Sequence, residues 1–402
     1  MLLEILLGFF DKKTVAKFSK KYIMPNLSSN ANSSQLSLSE KAEPRNFLKV
    51  NVQIDLIITY AEDNLPFQKF IELLLQLGEY SISTGEFASA VYIFEKILHK
   101  TKAKSDLQIF TAHSLRSLGE VFSRQALWEI SFNYIKRAIE TYSKLKDTEG
   151  IAECENLLGT IYGDLGNLND AQVHFEKAYS LLKGKFIKSQ LASKIKTNLG
   201  IVNNIAGNFE KALEYYKSAL VDFETAKDLR RMAEVRHNLG MLYSKIRKYN
   251  SAHKEFNTSI KLSQKLGDIQ TLGLSFIGKA YLYAVQKEFL LGDKFARKAL
   301  EVCHESKDML SIADIYKIQG IIQRELQNYD NAATYLLTSL RLNKELKNQL
   351  NKAEAELELG KLFNQVGNKI ESKNYFRRAI KYYKRIGDHQ EIDRINELLL
   401  AS

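Results

Sequence analysis

Hydrophobic residues recur along this chain at helical spacing, and the pattern itself repeats. A Leu-Gly pair followed three residues on by an aromatic is clearest at Leu158-Gly159-x-x-Tyr162 and Leu239-Gly240-x-x-Tyr243. Counting from it gives a ladder, Gly78, Gly119, Gly159, Gly200, Gly240, Ala280, Gly320 and Gly360, in steps of 40 or 41 residues. Twelve positions after each rung stands a small residue: Ala90, Ser131, Ala171, Ala212, Ala252, Gly292, Ala332 and Ser372. Four further on stands a mostly large one: Phe94, Ile135, Phe175, Tyr216, Phe256, Ala296, Leu336 and Phe376. Small residues let two helices approach, and the large one fills the space between them. Each unit is therefore predicted to be a helix pair. A third ladder, Asp147, Asp228, Asp268, Asp308, Asn348 and Asp388, precedes new apolar stretches, where a side-chain oxygen caps the free N–H groups of a helix start.

The third unit carries Leu158, Gly159, Tyr162, Gly166, Ala171, Phe175 and Ala178. This string resembles the signature of tetratricopeptide (TPR) repeats: Leu-Gly-x-x-Tyr, then Gly, then Ala-x-x-x-Phe-x-x-Ala. The period exceeds the usual ~34 residues, and the closing proline is replaced by a Lys-Asp or Gly-Asp turn. In this the chain is similar to the 40-residue repeats of Pins/LGN cell-polarity scaffolds, kinesin light chains and the bacterial Rap-type and NprR-type peptide receptors, all of which bind peptides or proteins. The resemblance implies an all-α fold, a right-handed superhelix (α-solenoid) of about eight helix-turn-helix repeats over residues 67–402, with the first helix of each pair lining a concave groove.

Carried over position by position, the resemblance places Arg116, Asn156, Thr160, Thr197, Asn204, His237, Ser244, Lys245, Tyr281, Lys317 and Arg324 on that groove. Asn198 and Asn238 stand just before Leu-Gly, where the 40-residue scaffolds hold a peptide backbone; asparagine offers both a donor and an acceptor for that task. Arg116 and Arg324 can fork onto a partner's carboxylates or pair with Glu120 and Glu325. Repeat six is apolar here, with Leu274, Ile277, Tyr281, Ala284 and Val285, which reads as a hot-spot pocket or a tighter local closure. The Lys-Asn carboxylate clamp of chaperone-binding TPR proteins is not matched.

The 66 residues before the repeats differ. Residues 1–25 read as an amphipathic helix, apolar at Leu2, Leu3, Ile5, Leu6, Phe9 and Phe10 and basic at Lys12, Lys13, Lys17, Lys20 and Lys21. Its apolar part is too short to span a bilayer, and it docks either on the array or on an anionic membrane surface. Residues 26–46 read as a flexible linker rich in Ser and Asn. Residues 47–66 alternate like a strand but align in register with a second helix, so a degenerate half-repeat capping the array is expected.

Composition narrows the function. The three prolines are Pro25, Pro44 and Pro66, leaving everything beyond without one, as a helical array requires. The two cysteines, Cys154 and Cys303, match no disulfide or metal framework, which fits a cytoplasmic protein. No phosphate-binding, zinc or nucleophile motif occurs, so neither enzymatic activity nor a cofactor or metal is expected. The net charge of +11 includes a dense run in the last repeat, Lys369, Lys373, Arg377, Arg378, Lys381, Lys384 and Arg385. Without a base-reading motif, nucleic acid is disfavoured as a partner. The expected function is a non-enzymatic adaptor or scaffold binding a peptide or protein segment in its concave groove. The alternatives are a peptide-responsive regulatory sensor, or an assembly factor associated with a membrane, through residues 1–25, or with nucleic acid.

Overall fold

A computed structural model describes residues 2–20, 50–102, 104–182, 189–306 and 308–400. They form α1 (Leu2–Leu7), α2 (Lys12–Phe18), α3 (Val50–Asn64), α4 (Phe67–Ser83), α5 (Phe87–Thr101), α6 (Gln108–Arg124), α7 (Trp128–Leu145), α8 (Thr148–Asp164), α9 (Leu168–Leu181) and α10 (Gln190–Ile205). There follow α11 (Phe209–Thr225), α12 (Leu229–Lys245), α13 (Tyr249–Leu266), α14 (Ile269–Val285), α15 (Phe289–Glu305), α16 (Met309–Glu325), α17 (Tyr329–Glu345), α18 (Gln349–Gln365), α19 (Lys369–Ile386) and α20 (His389–Leu400). No strand occurs among the described residues. From α4 to α19 the helices form eight pairs, an α-solenoid built of helical hairpins.

Each pair is held by a side chain that is missing. A Cβ built on Gly78, Gly119, Gly159, Gly200, Gly240, Gly320 or Gly360 would lie 2.5–2.7 Å from Phe94, Ile135, Phe175, Tyr216, Phe256, Leu336 or Phe376 respectively, all buried. Serine fills the small position of two repeats because its hydroxyl has a partner: Ser131 donates to the Gly119 carbonyl at 2.6 Å and Ser372 to that of Gly360 at 2.9 Å. Repeat six departs from the arrangement. Ala280 and Ala296 are both small, and a Cβ on Gly292 of α15 would lie 3.4 Å from the Ala280 carbonyl and 3.0 Å from Ile322.

The turn between pairs explains how the array does without proline. Lys146, Lys227, Gly267, Lys347 and Gly387 take positive φ and stop a helix. The next residue caps the following one. Asp228 accepts from the Arg231 N–H at 3.0 Å, Asp308 from Ser311 at 3.1 Å, Asn348 from Asn351 at 2.9 Å and Asp388 from Glu391 at 3.0 Å.

The chain divides into two compact units, Met1–Ile151 and Ala152–Ser402. In the first, two short helices stand where one amphipathic helix was expected, because Asp11 caps a new start and accepts from the Lys13 and Thr14 N–H groups. Leu2, Leu6, Val15 and Phe18 share one core with Ile54 and Ile57 of α3 and Phe70 and Leu74 of α4. The apolar side of the N-terminal segment thus lies against protein, while Lys12, Lys13 and Lys17 stay exposed. Residues 50–64 are helical rather than a strand. The expected linker, 26–46, lies outside the described residues.

In the second unit the last repeat returns to the first. The Gln349 N–H donates to the Leu165 carbonyl at 3.0 Å and the Tyr382 hydroxyl to the Gly166 carbonyl at 2.6 Å. Ile386 packs on the core of α9 and α10. Glycine is required at 166 twice over, by its φ of +74° and by the Leu350 backbone where a Cβ would stand.

Replacing Gly159 with Leu should overpack α8 against α9 by ~1–3 kcal/mol, lowering the melting temperature. Glu176→Leu, at an exposed position on α9, should leave it nearly unchanged. Equal melting of the two variants would refute the register.

Candidate functional site: the concave face of the second unit

Closure of the second unit turns its first-of-pair helices toward a shared interior, and charge interactions show which residues meet there. Lys245 at the end of α12 is exposed, yet it feels Glu354 of α18 together with Asp388 and Glu391 at the start of α20, and loss of hydration lowers its pKa. Tyr281 of α14 is raised by burial and by Glu354 and Glu358. Asp164, at the end of α8, is pushed up to about 7 by burial and by Asp308 across the interior.

Most cations of this face are matched internally. Burial works against the Lys317 charge, but Asp314 at 2.8 Å and Glu354 outweigh it and raise its pKa. Arg324 is buried, holds Glu325 at 2.9 Å and bonds Glu358 of the next repeat. Lys361 reaches Glu358 at 2.6 Å, and these two cations bring the Glu358 carboxyl down to about 2 against its burial. Lys245 has no carboxylate within ion-pair distance among the described residues; its ammonium donates to the Asn204 carbonyl at 3.3 Å. A cleft of about 340 Å³ at one end is lined by Arg324, Glu325, Lys361, Asn364, Gln365, Arg394 and Leu398.

The polar residues expected on the groove divide by position. Asn156 is buried and accepts from Asn198 Nδ2 at 2.8 Å, so these two form a rung between α8 and α10. Thr160 is exposed and donates to the Asn156 carbonyl at 3.0 Å. Thr197 and Ser244 are buried, with hydroxyls donated to the Ser193 and Gly240 carbonyls of their own helices. His237 lies half-buried beside Phe256, 5.8 Å between ring centres, and burial lowers it to about 4. Its Nδ1 and the Oδ1 of buried Asn204 have no hydrogen-bond partner among the described residues. Asn238 is half-buried and forms no side-chain hydrogen bond among them. Arg116 is half-buried on α6, in the first unit. In repeat six Ile277 and Ala284 are buried, while Leu274 and Val285 are exposed.

Asp164, Asp308, Glu358, Asp388, Glu391 and Arg394 were absent from the sequence-based groove. Two signals existed: Asp164 stands five residues after its glycine, as Lys245 does after Gly240, and Glu358 stands two before Gly360, as Asn198 does before Gly200. Asp308 and Asp388 read only as caps. Glu391 and Arg394 reach the interior because α20 follows the last pair, beyond the reach of the periodicity.

The tetratricopeptide repeat family matches residues 108–184 and 191–265. Those residues are tetratricopeptide repeats, and the helix pairs on either side of them are built to the same plan. It is 27% identical over 266 residues to the regulatory protein RapF of Bacillus subtilis (strain 168), covering 65% of this chain and 67% of that protein. Among solved structures it resembles a Rap protein complexed with competence and sporulation factor, with a TM-score of 0.65 at 14% identity over 84% of this chain and 92% of that one. It also resembles the Rap conjugation gene regulator of plasmid pLS20 in complex with the Phr* peptide, with a TM-score of 0.57 at 19% identity over 77% and 81% of the two chains. At these identities the structural likenesses fix the fold. No helix among the described residues is long and apolar enough to cross a membrane.

Because its folded pKa lies above the ordinary 3.8, the carboxyl of Asp164 costs stability progressively as pH rises from there through about 7. Asp164→Asn should therefore melt above wild type at about pH 8, with the gap shrinking toward about pH 4. His237 acts equally in both proteins and cancels. A gap independent of pH would contradict the assigned burial.

Proposed function

We infer that this protein works by binding rather than catalysis, and that the inner face of its second unit takes an extended peptide or protein segment. The observation that carries the reading is the contrast between Lys317, Arg324 and Lys361, each paired, and Lys245, whose charge faces the interior without a carboxylate partner. Asn238, on the same helix as Lys245 and half-buried, supplies both a donor and an acceptor suited to a peptide main chain. Proteins of this fold have been solved with competence and sporulation factor and with the Phr* peptide bound, and the relative from Bacillus subtilis is a regulatory protein. Those ligands motivate the same mode of action here, as an adaptor or peptide-responsive regulator in the cytoplasm, with residues 1–25 and 47–66 capping the array.

The test is affinity capture with the full-length chain, identification of the retained peptide or protein by mass spectrometry, and titration of wild type and variants with it. Asn238→Ala should remove net hydrogen bonding of ~0.5–1.5 kcal/mol and Lys245→Ala a charge-assisted bond of ~1.5–3 kcal/mol. The double variant should bind at least tenfold more weakly with helicity unchanged. Wild-type affinity in the double variant would move the site off this face.

A further inference from the structure

The outer helices of the eight pairs are built to one plan but differ in charge. In α5, α7, α9, α11, α13, α15 and α17 basic and acidic residues balance to within two. The last, α19, holds Lys369, Lys373, Arg377, Arg378, Lys381, Lys384 and Arg385 against Glu371 alone. At 3.6 residues per turn the seven cations fall within about half of the circumference and spread along about 24 Å, while Glu371 lies outside that arc. The opposite face, with Phe376, Ala379 and Tyr383, is buried in the core.

These cations lack a carboxylate partner at ion-pair distance among the described residues. Six of the seven are exposed, with Lys373 half-exposed. Two are pre-set: the guanidinium groups of Arg378 and Arg385 lie over the rings of Tyr375 and Tyr382, each 5.2 Å from the ring centre. Glu356, the acid on which Arg378 acts, is buried. Near the middle of the arc, at the start of the helix, stands Ile370, 76% exposed, an apolar side chain in an otherwise charged face.

We propose that the outer face of α19 is a docking surface for an anionic membrane, touching lipid headgroup phosphates and carboxylates with its cations and the acyl boundary with Ile370. A straight helix face that bears long, independently mobile side chains and one protruding apolar residue suits a planar array of anions. Clusters of four to eight Lys or Arg on an amphipathic helix bind such a surface through the potential of its anionic lipids. No exposed aromatic ring stands in the arc on which the bases of a single strand could stack. The N-terminal segment does not compete for the role, because its apolar residues are committed to the core of the first unit. The surface stands apart from the interior proposed to bind peptide, and its test does not depend on that ligand.

The full-length protein is mixed with vesicles of phosphatidylcholine alone, or with about a third phosphatidylserine, at ~0.1 M salt and again at ~1 M, where screening confines the potential to ~3 Å. Co-sedimentation should require phosphatidylserine and low salt. The variant K373Q/R377Q/K381Q/K384Q should partition at least tenfold less, and Ile370→Ser a few-fold less, both with wild-type melting temperature. Equal partitioning of the quadruple variant, or no partitioning of wild type at low salt, would overturn the proposal. So would tighter binding of a single-stranded or duplex oligonucleotide than of these vesicles in the same buffer.

Discussion

The crossing of two helices at a residue without a side chain is the constraint from which the rest of this structure follows. Seven of the eight pairs place a glycine of the first helix against a large buried residue sixteen positions later. The approach is close enough that even a methyl group has no room. With the crossing set, the face of each first helix opposite its partner is also set, and stacking the pairs aligns those faces. Repeat six departs from this: Ala280 stands at the rung, it and Ala296 are both small and buried, and a Cβ on Gly292 would meet the Ala280 carbonyl at 3.4 Å, near ordinary contact distance.

In the second unit the stacked pairs curve until repeat eight touches repeat three, through Gln349, Tyr382 and Ile386. Closure gives the interior its chemistry. It brings Lys245 under the influence of Glu354, Asp388 and Glu391, and it sets Asp164 near Asp308, so that both a lysine and a carboxylate feel lost hydration while water still reaches them. Side chains held so need partners, and the ion pairs of Lys317, Arg324 and Lys361 answer that need within repeats seven and eight. A ligand in the interior meets the groups left over.

Much of this was legible in the residues. The three ladders gave the pairs, their crossings and their caps, because each depends on residues within one repeat. Asn156 and Asn198 could be placed on neighbouring helices, but not bonded to each other, since that pairing depends on the spacing between repeats. The hydroxyls of Thr197 and Ser244 turn back onto carbonyls of their own helices, a choice of rotamer that spacing does not record. The contribution of α20 and the closure at Gly166 depend on curvature summed over six repeats, which no local pattern records. The split of the N-terminal segment hung on one residue, Asp11, whose side chain starts a second helix.

The central claim is that ligand binds on the inner face of the second unit. Hydrogen–deuterium exchange on the full-length chain, with and without the captured ligand, tests it most directly. Protection should appear on α10, α12, α14, α16 and α18, with α11, α13, α15 and α17 unchanged. Protection confined to those outer helices or to the first unit would contradict the account.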